Sequence, residues 1–453
     1  MIVMKFGGDG FQNPESINEV TSIIKSARDE QLVVVVSAFG KSTRLLENLF
    51  EFLSLGNPEE ANRLFNEKFI PMLFSLMEGT LDSVYLSECR EVINEMIEQL
   101  NKYIFTERSD WNSADRDFIL SHGELLTSRF FYYVLRQEEI KSGLVDAREM
   151  ITTDEKQRFA SPDYKKSFEM IRKRVEECHN SGSLLLTQGF IGSTPSGLTT
   201  TLGYEGSDLT ATFLGSCLNA DGIEFYKTVP GIMTADPNIL SECRVLKEIP
   251  YDYAEKLAFL GPKILHQNAI KPAKEMDIPI RLKNLHAPEA AGTQILNCDL
   301  NDERDEFSVV GHPDGELLFL PVHARPEYNG SSQIETILAD WDITNIPIRS
   351  DDSALQWFLT EKIVAKAASA SLKEAGAVFI DEEVSMIGII SSGFSEKNYI
   401  RLIKETIDEH DLNLVASSAT SEFAIMVFER EHFKKIYSWL HTKLLEKSMV
   451  RSL

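Results

Sequence analysis

Ile2-Val3-Met4-Lys5-Phe6-Gly7-Gly8 is a short apolar strand, interrupted by one lysine and stopped by two glycines. Residues 15–29 carry apolar side chains at helical spacing (Ile17, Val20, Ile23, Ile24, Ala27), which predicts a helix. Leu32 to Val36 is an apolar, mostly β-branched run that ends in Ser37-Ala38-Phe39-Gly40. An uninterrupted run of that kind belongs in a parallel sheet covered on both faces. Strand, helix and strand in close succession form a βαβ unit and place the chain in the α/β class. Glycines directly after a strand let backbone N–H groups approach an anion closely, and a lysine just inside the strand reaches the same anion. A tight turn beside a snorkelling lysine gives the same pattern, so this motif alone leaves both readings open.

Working outward, residues 45–110 form a polar-faced helical insertion, and a helix over 115–137 carries Gly123-Glu124 with Ser121 and Ser128 nearby. Leu184 to Phe190 is a second buried strand, followed by a glycine-containing hairpin. A helix over 207–220 follows Thr200-Thr201-Leu202-Gly203-Tyr204-Glu205-Gly206-Ser207-Asp208. Ser207 or Asp208 would cap it, and its N-terminus favours an anion. The threonine run 199–201 adds hydroxyl donors beside it. Later strands fall at Ile223–Tyr226 and Ile278–Leu282, and the α/β domain is expected to span 1–297. The charged stretch 298–308 reads as a linker. Residues 309–453 change character: strand Leu317–Val322, helix Ser332–Trp341, strand Ile346–Ile348, then strand 384–391, helix 396–409, strands 412–416 and 422–428, and helix 431–446. Strand–helix–strand–strand, twice, outlines two small α+β modules.

Composition removes several classes of function. Asp+Glu outnumber Lys+Arg by 70 to 46, a formal charge of -24, and no basic cluster offsets it, so a nucleic-acid partner is excluded. The five cysteines are scattered and include no C-x-x-C pair, which argues against disulfides or a thiolate zinc site and for reduced thiols in a cytoplasm. The N-terminus starts as a strand, without signal-peptide regions, and no apolar run reaches membrane-span length. The nine histidines, His266 included, show no metal-ligand spacing.

Several motifs taken together are more specific than any one. Lys5-Phe6-Gly7-Gly8, Val35-Val36-Ser37-Ala38 with Thr43, Gly123-Glu124-Leu125-Leu126, Gly189-Phe190-Ile191-Gly192, Thr200-Thr201-Leu202-Gly203 with Gly206-Ser207-Asp208, Gly231-Ile232-Met233-Thr234-Ala235-Asp236-Pro237 and Gly261-Pro262-Lys263-Ile264-Leu265-His266 resemble, in order and spacing, the motifs of the aspartokinases. The resemblance spans residues 2–297, and the tail resembles that family's pair of ACT domains by pattern. It implies a three-layer α/β/α kinase domain followed by two ACT-like modules. It also implies transfer of the ATP γ-phosphoryl group, with magnesium, to the aspartate side chain, the first step toward lysine, threonine and methionine. By that resemblance Lys5 would hold the transferring phosphate, and Asp208 would orient this lysine and the magnesium-phosphate group. Gly7, Gly8, Gly206, Lys227, Thr228, Met233, Asp236 and Lys263 would lie on the ATP side. Ser37, Thr43, Glu124, Tyr204 and Ser207 would surround the amino acid, with Glu124 on its ammonium. No protein-bound metal is implied beyond the magnesium that enters with ATP.

The chain departs from the family at identifiable places. Asp9-Gly10 replaces Thr-Ser after the glycines, Tyr204-Glu205 replaces Arg-Gly before Gly206, Lys227-Thr228 replaces Thr-Asp, and Asn238 replaces an arginine. A guanidinium fork grips a carboxylate through two charge-assisted bonds, whereas a tyrosine offers one neutral donor. Losing one partner of a buried charge pair costs roughly 2–5 kcal/mol. Arg44 and Lys227 are candidates to restore the charge from another direction. Three readings follow: a working aspartokinase with compensating residues, a kinase for a different amino-acid carboxylate, or a non-catalytic regulatory protein on the same scaffold. In the tail, Asn329-Gly330-Ser331 is the expected effector loop, where backbone N–H groups take a carboxylate; a plain capped helix turn fits it equally. Ile346 stands where lysine-sensitive relatives carry an aspartate, with Asp351 and Asp352 further on. Assembly through the ACT modules implies a homodimer or homotetramer.

Overall fold

The computed structural model describes residues 1–27, 31–106, 110–203, 205–261, 265, 267–298, 306–320, 333–334, 336–338, 343, 345–349, 355–359 and 368–451. They fall into two compact units, Met1–Gly231 with Leu265–Asn297, and Ile232–Ile264 with Cys298–Leu453. The division is therefore not a single cut near residue 297, because the segment 232–264 belongs with the tail. Ten strands are described up to residue 297: β1 (Ile2–Phe6), β2 (Leu32–Val36), β3 (Ser142–Leu144), β4 (Leu184–Gln188), β5 (Ile191–Ser193), β6 (Thr199–Thr201), β7 (Gly222–Lys227), β8 (Glu248–Pro250), β9 (Ile280–Asn284) and β10 (Thr293–Leu296).

Within the first unit the main sheet runs β3-β4-β2-β1-β7-β9-β10. β1 is central and parallel to both neighbours, with Lys5 beside Val35 on one side and Phe225 on the other. All five residues of β2 are buried, as a strand covered on both faces must be. The helix Pro14–Ser26 covers one face with Ile17, Val20, Ile23 and Ile24, and Asn13 caps it by accepting from the Ser16 N–H. The expected insertion is a set of helices (Ser42–Ser54, Pro58–Leu64, Phe65–Phe69, Ile70–Thr80, Ser83–Ile104) in which Phe69 packs against Phe39, beyond the end of β2, and Phe65 stacks on Phe69. The helix Ser113–Gln137 begins at a capping box between Asn112 and Asp115 and is buried along most of its length.

In the second unit one antiparallel sheet runs β12-β13-β11-β14-β16-β15 among the described residues. Its strands are β11 (Phe307–Leu320), β12 (Asn345–Arg349), β13 (Leu355–Leu359), β14 (Val378–Ser391), β15 (Leu414–Ala419) and β16 (Ala424–Glu429), with helices Glu396–His410 and Phe433–Arg451 on the sheet. β11 and β14 pair at the centre, so the two α+β modules share one sheet. The expected strand at 317 starts ten residues earlier in fact, at Phe307, so the end of the expected linker is core: Phe307 is fully buried. The charge of the preceding residues had hidden a strand of alternating apolar residues. β13 and the short helix Ser369–Glu374 were not anticipated.

Tyr437 ties this unit together. Its buried hydroxyl donates to the Val309 carbonyl at 2.8 Å and accepts from the Asp236 N–H at 2.8 Å. Tyr437→Phe strands two backbone groups, and each unsatisfied buried group costs about 1–3 kcal/mol. Urea denaturation should show a loss of about 2–3 kcal/mol; a change within experimental scatter would refute this role.

Candidate active site

The centre of the site is a buried carboxylate between two ammonium groups. Asp208 lies in the first turn of the helix Gly206–Leu218. Lys5 Nζ is 2.5 Å from its Oδ1, and Lys227 Nζ is 2.8 Å from its Oδ2. β1 and β7 are neighbours in register, so their C-terminal ends deliver the two lysines to the same helix end. Burial pushes the Asp208 carboxyl up, the Lys227 and Lys5 charges pull it down, and the net direction is down. The carboxylate is therefore ionised, and the triad carries one surplus positive charge.

Around it the chain approaches itself too closely for side chains. A Cβ on Gly8 would fall 2.7 Å from the Gly40 carbonyl oxygen, and one on Gly189 would fall 2.6 Å from Ser207 Cβ. Gly206 is similarly confined by Leu202 and Phe190. These contacts hold the β1, β2 and β4 turns against the helix N-terminus. Ser37 Oγ and Ser207 Oγ are 3.2 Å apart, and the Ala38 N–H donates to Glu124 Oε1 at 3.2 Å. Glu124 is 2% exposed and its Oε2 has no partner. Burial raises its carboxyl to about 8, against the pull of the Glu124 and Ala38 N–H groups and of the Lys5 charge. An orphaned carboxylate oxygen in such a place fits a ligand ammonium. Thr43 is half-buried at the start of the helix Ser42–Ser54.

The other expected residues divide. Gly7 sits beside Lys5 Nζ. Thr228 Oγ1 donates to Asp9 Oδ2 at 3.5 Å on the exposed lip. Met233 and Asp236 belong to the second unit, where Met233 bridges Val245 and Asp236 meets Tyr437. Tyr204, Lys263, His266, Asn329, Gly330, Ser331, Asp351 and Asp352 lie outside the described residues. Ile346 is a buried residue of β12.

Two local expectations need correction. Neither Ser207 nor Asp208 is the cap of its helix: that position is Glu205, at φ 51° and ψ 27°, with no side-chain cap bond. Asp208 is unavailable because both of its oxygens face lysines. Nor do the threonine hydroxyls serve the site. Thr199 accepts from Arg148, Thr200 pairs with Thr153, and Thr201 donates to Asp117. Asp117, buried and also accepting from the Thr201 and Arg158 N–H groups, was missed. Arg116, its neighbour, was the one sequence signal for it.

This sheet and constellation define an amino-acid kinase, and the chain belongs to the amino acid kinase family, which matches residues 1–284. Over nearly its whole length it is similar to aspartokinases in particular. It is 26% identical to lysine-sensitive aspartokinase 3 of Escherichia coli K12 across 98% of this chain and 99% of that one. Aspartokinase 1, chloroplastic, of Arabidopsis thaliana is 33% identical over 65% of this chain and 51% of its own length. E. coli aspartokinase III with lysine and aspartate in the T-state superposes with a TM-score of 0.80, at 26% identity and 98% and 99% coverage. Its R-state complex with aspartate and ADP gives 0.78, at 25% identity and 98% and 100% coverage.

The raised Glu124 carboxyl has a stability consequence. In the unfolded chain it titrates near 4.5, and in the fold near 8. The folded state binds the proton more tightly, so this contribution is complete below the lower value and lost as pH rises through the upper one. Without ligands, the parent should lose stability relative to Glu124→Gln between these limits, by up to about 1.4 kcal/mol per pH unit. Urea titrations at both ends of that window test it; parallel pH profiles would refute it.

Proposed function

We propose that this chain transfers the γ-phosphoryl group of ATP to the side-chain carboxylate of L-aspartate, giving 4-phospho-L-aspartate for lysine, threonine and methionine synthesis. The observation that carries the proposal is the Lys5–Asp208–Lys227 triad, set beside the buried Glu124 carboxyl, whose Oε2 has no partner.

Donor and acceptor are both anions, so the work is alignment and charge neutralisation. Lys5 and Lys227 offer ammonium groups to the phosphate oxygens. Asp208 fixes both lysines in place. The N–H groups of Gly7, Gly8 and Gly206 supply further donors at places no side chain obstructs. Glu124 takes the aspartate ammonium, and the Ser37, Thr43 and Ser207 hydroxyls orient its carboxylates. Magnesium bound to the nucleotide would offset phosphate charge. Both Asp208 oxygens face lysines, so Asp208 would act on the metal-phosphate group by ordering those lysines. Lys227, a threonine in the family pattern, is the compensating cation for the missing arginine: it raises the positive charge at the reacting phosphate. The lysine complex of the E. coli enzyme supports a small amino-acid effector; the same reading includes a homodimer or homotetramer built on the tail and a cytoplasmic enzyme. No described helix is long and apolar enough to cross a membrane. Ile346 offers no charge to a lysine ammonium, so the reading here is an effector other than lysine, or none.

Hydroxylamine trapping of the acyl phosphate, with Mg-ATP and aspartate, tests the reaction. Aspartyl hydroxamate should form with the parent and fall roughly 10²–10³-fold in Lys5→Ala and Lys227→Thr, as on losing a transition-state charge partner. Product from another amino acid but not from aspartate would replace the acceptor, and no product at all would sink the proposal. Binding is linked to protons as well. Near neutral pH the folded Glu124 is mostly protonated, so pairing with the substrate ammonium should release about one proton. Calorimetric titration of aspartate in buffers of different ionisation enthalpy should show this; a buffer-independent heat would contradict the Glu124 assignment.

A further inference from the structure

The helix Ser113–Gln137, which carries Glu124, also walls a separate cavity of about 410 Å³. Its lining includes Arg129, Arg148, Arg174, Asp146, Glu149 and His122. The volume suits a small molecule. Two of the three arginines are neutralised in place: Arg148 Nη2 is 2.6 Å from Asp146 Oδ2, and Arg174 Nη2 is 2.8 Å from Glu149 Oε2. Arg129 is different. Its Nε is buried without a hydrogen-bond partner, and among the described residues no carboxylate pairs with it. The titratable groups that feel its charge are Cys89 and Tyr133, both shifted upward by burial and so neutral. Arg129 as a whole is half-buried, and a partly desolvated guanidinium with no opposite charge beside it is stabilised by an anion. His122 supplies the second handle. Its Nδ1–H donates to the Phe118 carbonyl at 2.8 Å, which leaves Nε2 as an acceptor. Burial lowers this ring to about 4, so it is neutral and adds no charge.

The cavity therefore presents one free guanidinium and one neutral acceptor. Both carboxylates that would hold an ammonium are already committed to arginines. We propose that it binds a small hydroxycarboxylate monoanion, with the carboxylate on Arg129 and the hydroxyl donating to His122 Nε2. Nothing in the phosphoryl-transfer reading requires this site, and the kinase residues do not line it.

Glycolate and L-lactate are suitable probes, followed by calorimetry and by the ring signals of selectively labelled histidine. The expected result is saturable millimolar binding that shifts the His122 signals and weakens at least about tenfold in Arg129→Gln. Mg-ADP binding should be equal in parent and variant, which checks the fold and the kinase site together. Should Arg129→Gln fail that check, Arg129→Lys keeps the charge without the fork and should bind the probes measurably more weakly. Absence of binding by both hydroxy acids, binding unchanged in the Arg129 variants, or equal binding of L-alanine or inorganic phosphate would each overturn the assignment.

Discussion

A buried carboxylate cannot stand alone. Asp208 is almost fully excluded from solvent, and desolvation on that scale is tolerated only when opposite charge is close and well placed. Lys5 and Lys227 satisfy that demand, and they do so from the ends of two adjacent parallel strands. The register of β1 against β7 and the entry of the helix Gly206–Leu218 are thus locked to one electrostatic requirement. Removing Asp208 leaves two neighbouring ammonium groups without their counter-charge, and removing either lysine takes away one of the two charges that offset the buried carboxylate. The surplus positive charge of the triad also makes the place attractive to phosphate, so the interaction that orders the fold prepares the chemistry.

The glycines follow from the same constraint. For the helix start to reach the lysines, the β1, β2 and β4 turns must pass within contact distance of it, and Gly8, Gly189 and Gly206 stand where a side chain would collide. Glu205 holds a left-handed backbone where the family pattern has glycine, a conformation that costs a non-glycine residue roughly 1–2 kcal/mol. That strain persists beside Asp208 because its surroundings fix it. Lys227 brings a second ammonium to Asp208, at a position where the family pattern has threonine.

Much of this was legible in the sequence. β1 and β2 were readable because fully buried parallel strands leave uninterrupted apolar runs. Glu124 and Lys5 could be singled out because their motifs sit in fixed order with Gly123 and Gly7. What failed had specific causes. Ser207 and Asp208 have the side chains of helix caps, but Asp208 is claimed by lysines from distant strands, a contact no local pattern reveals. Threonines 199–201 look like phosphate donors until their partners Arg148, Thr153 and Asp117 come into view. Asp117 meets Thr201 across 84 residues of chain. β11 was read too short because acidic residues precede it, although Phe307 and Val309 alternate inward as a strand requires. The Lys227–Asp208 pair was invisible because it depends on strand register.

The most direct test is a crystal structure with magnesium, a non-hydrolysable ATP analogue and L-aspartate. The account predicts γ-phosphate oxygens within hydrogen-bond reach of both Lys5 Nζ and Lys227 Nζ, and the aspartate ammonium on Glu124 Oε2. A γ-phosphate remote from the two lysines, or an aspartate bound without Glu124, would contradict it.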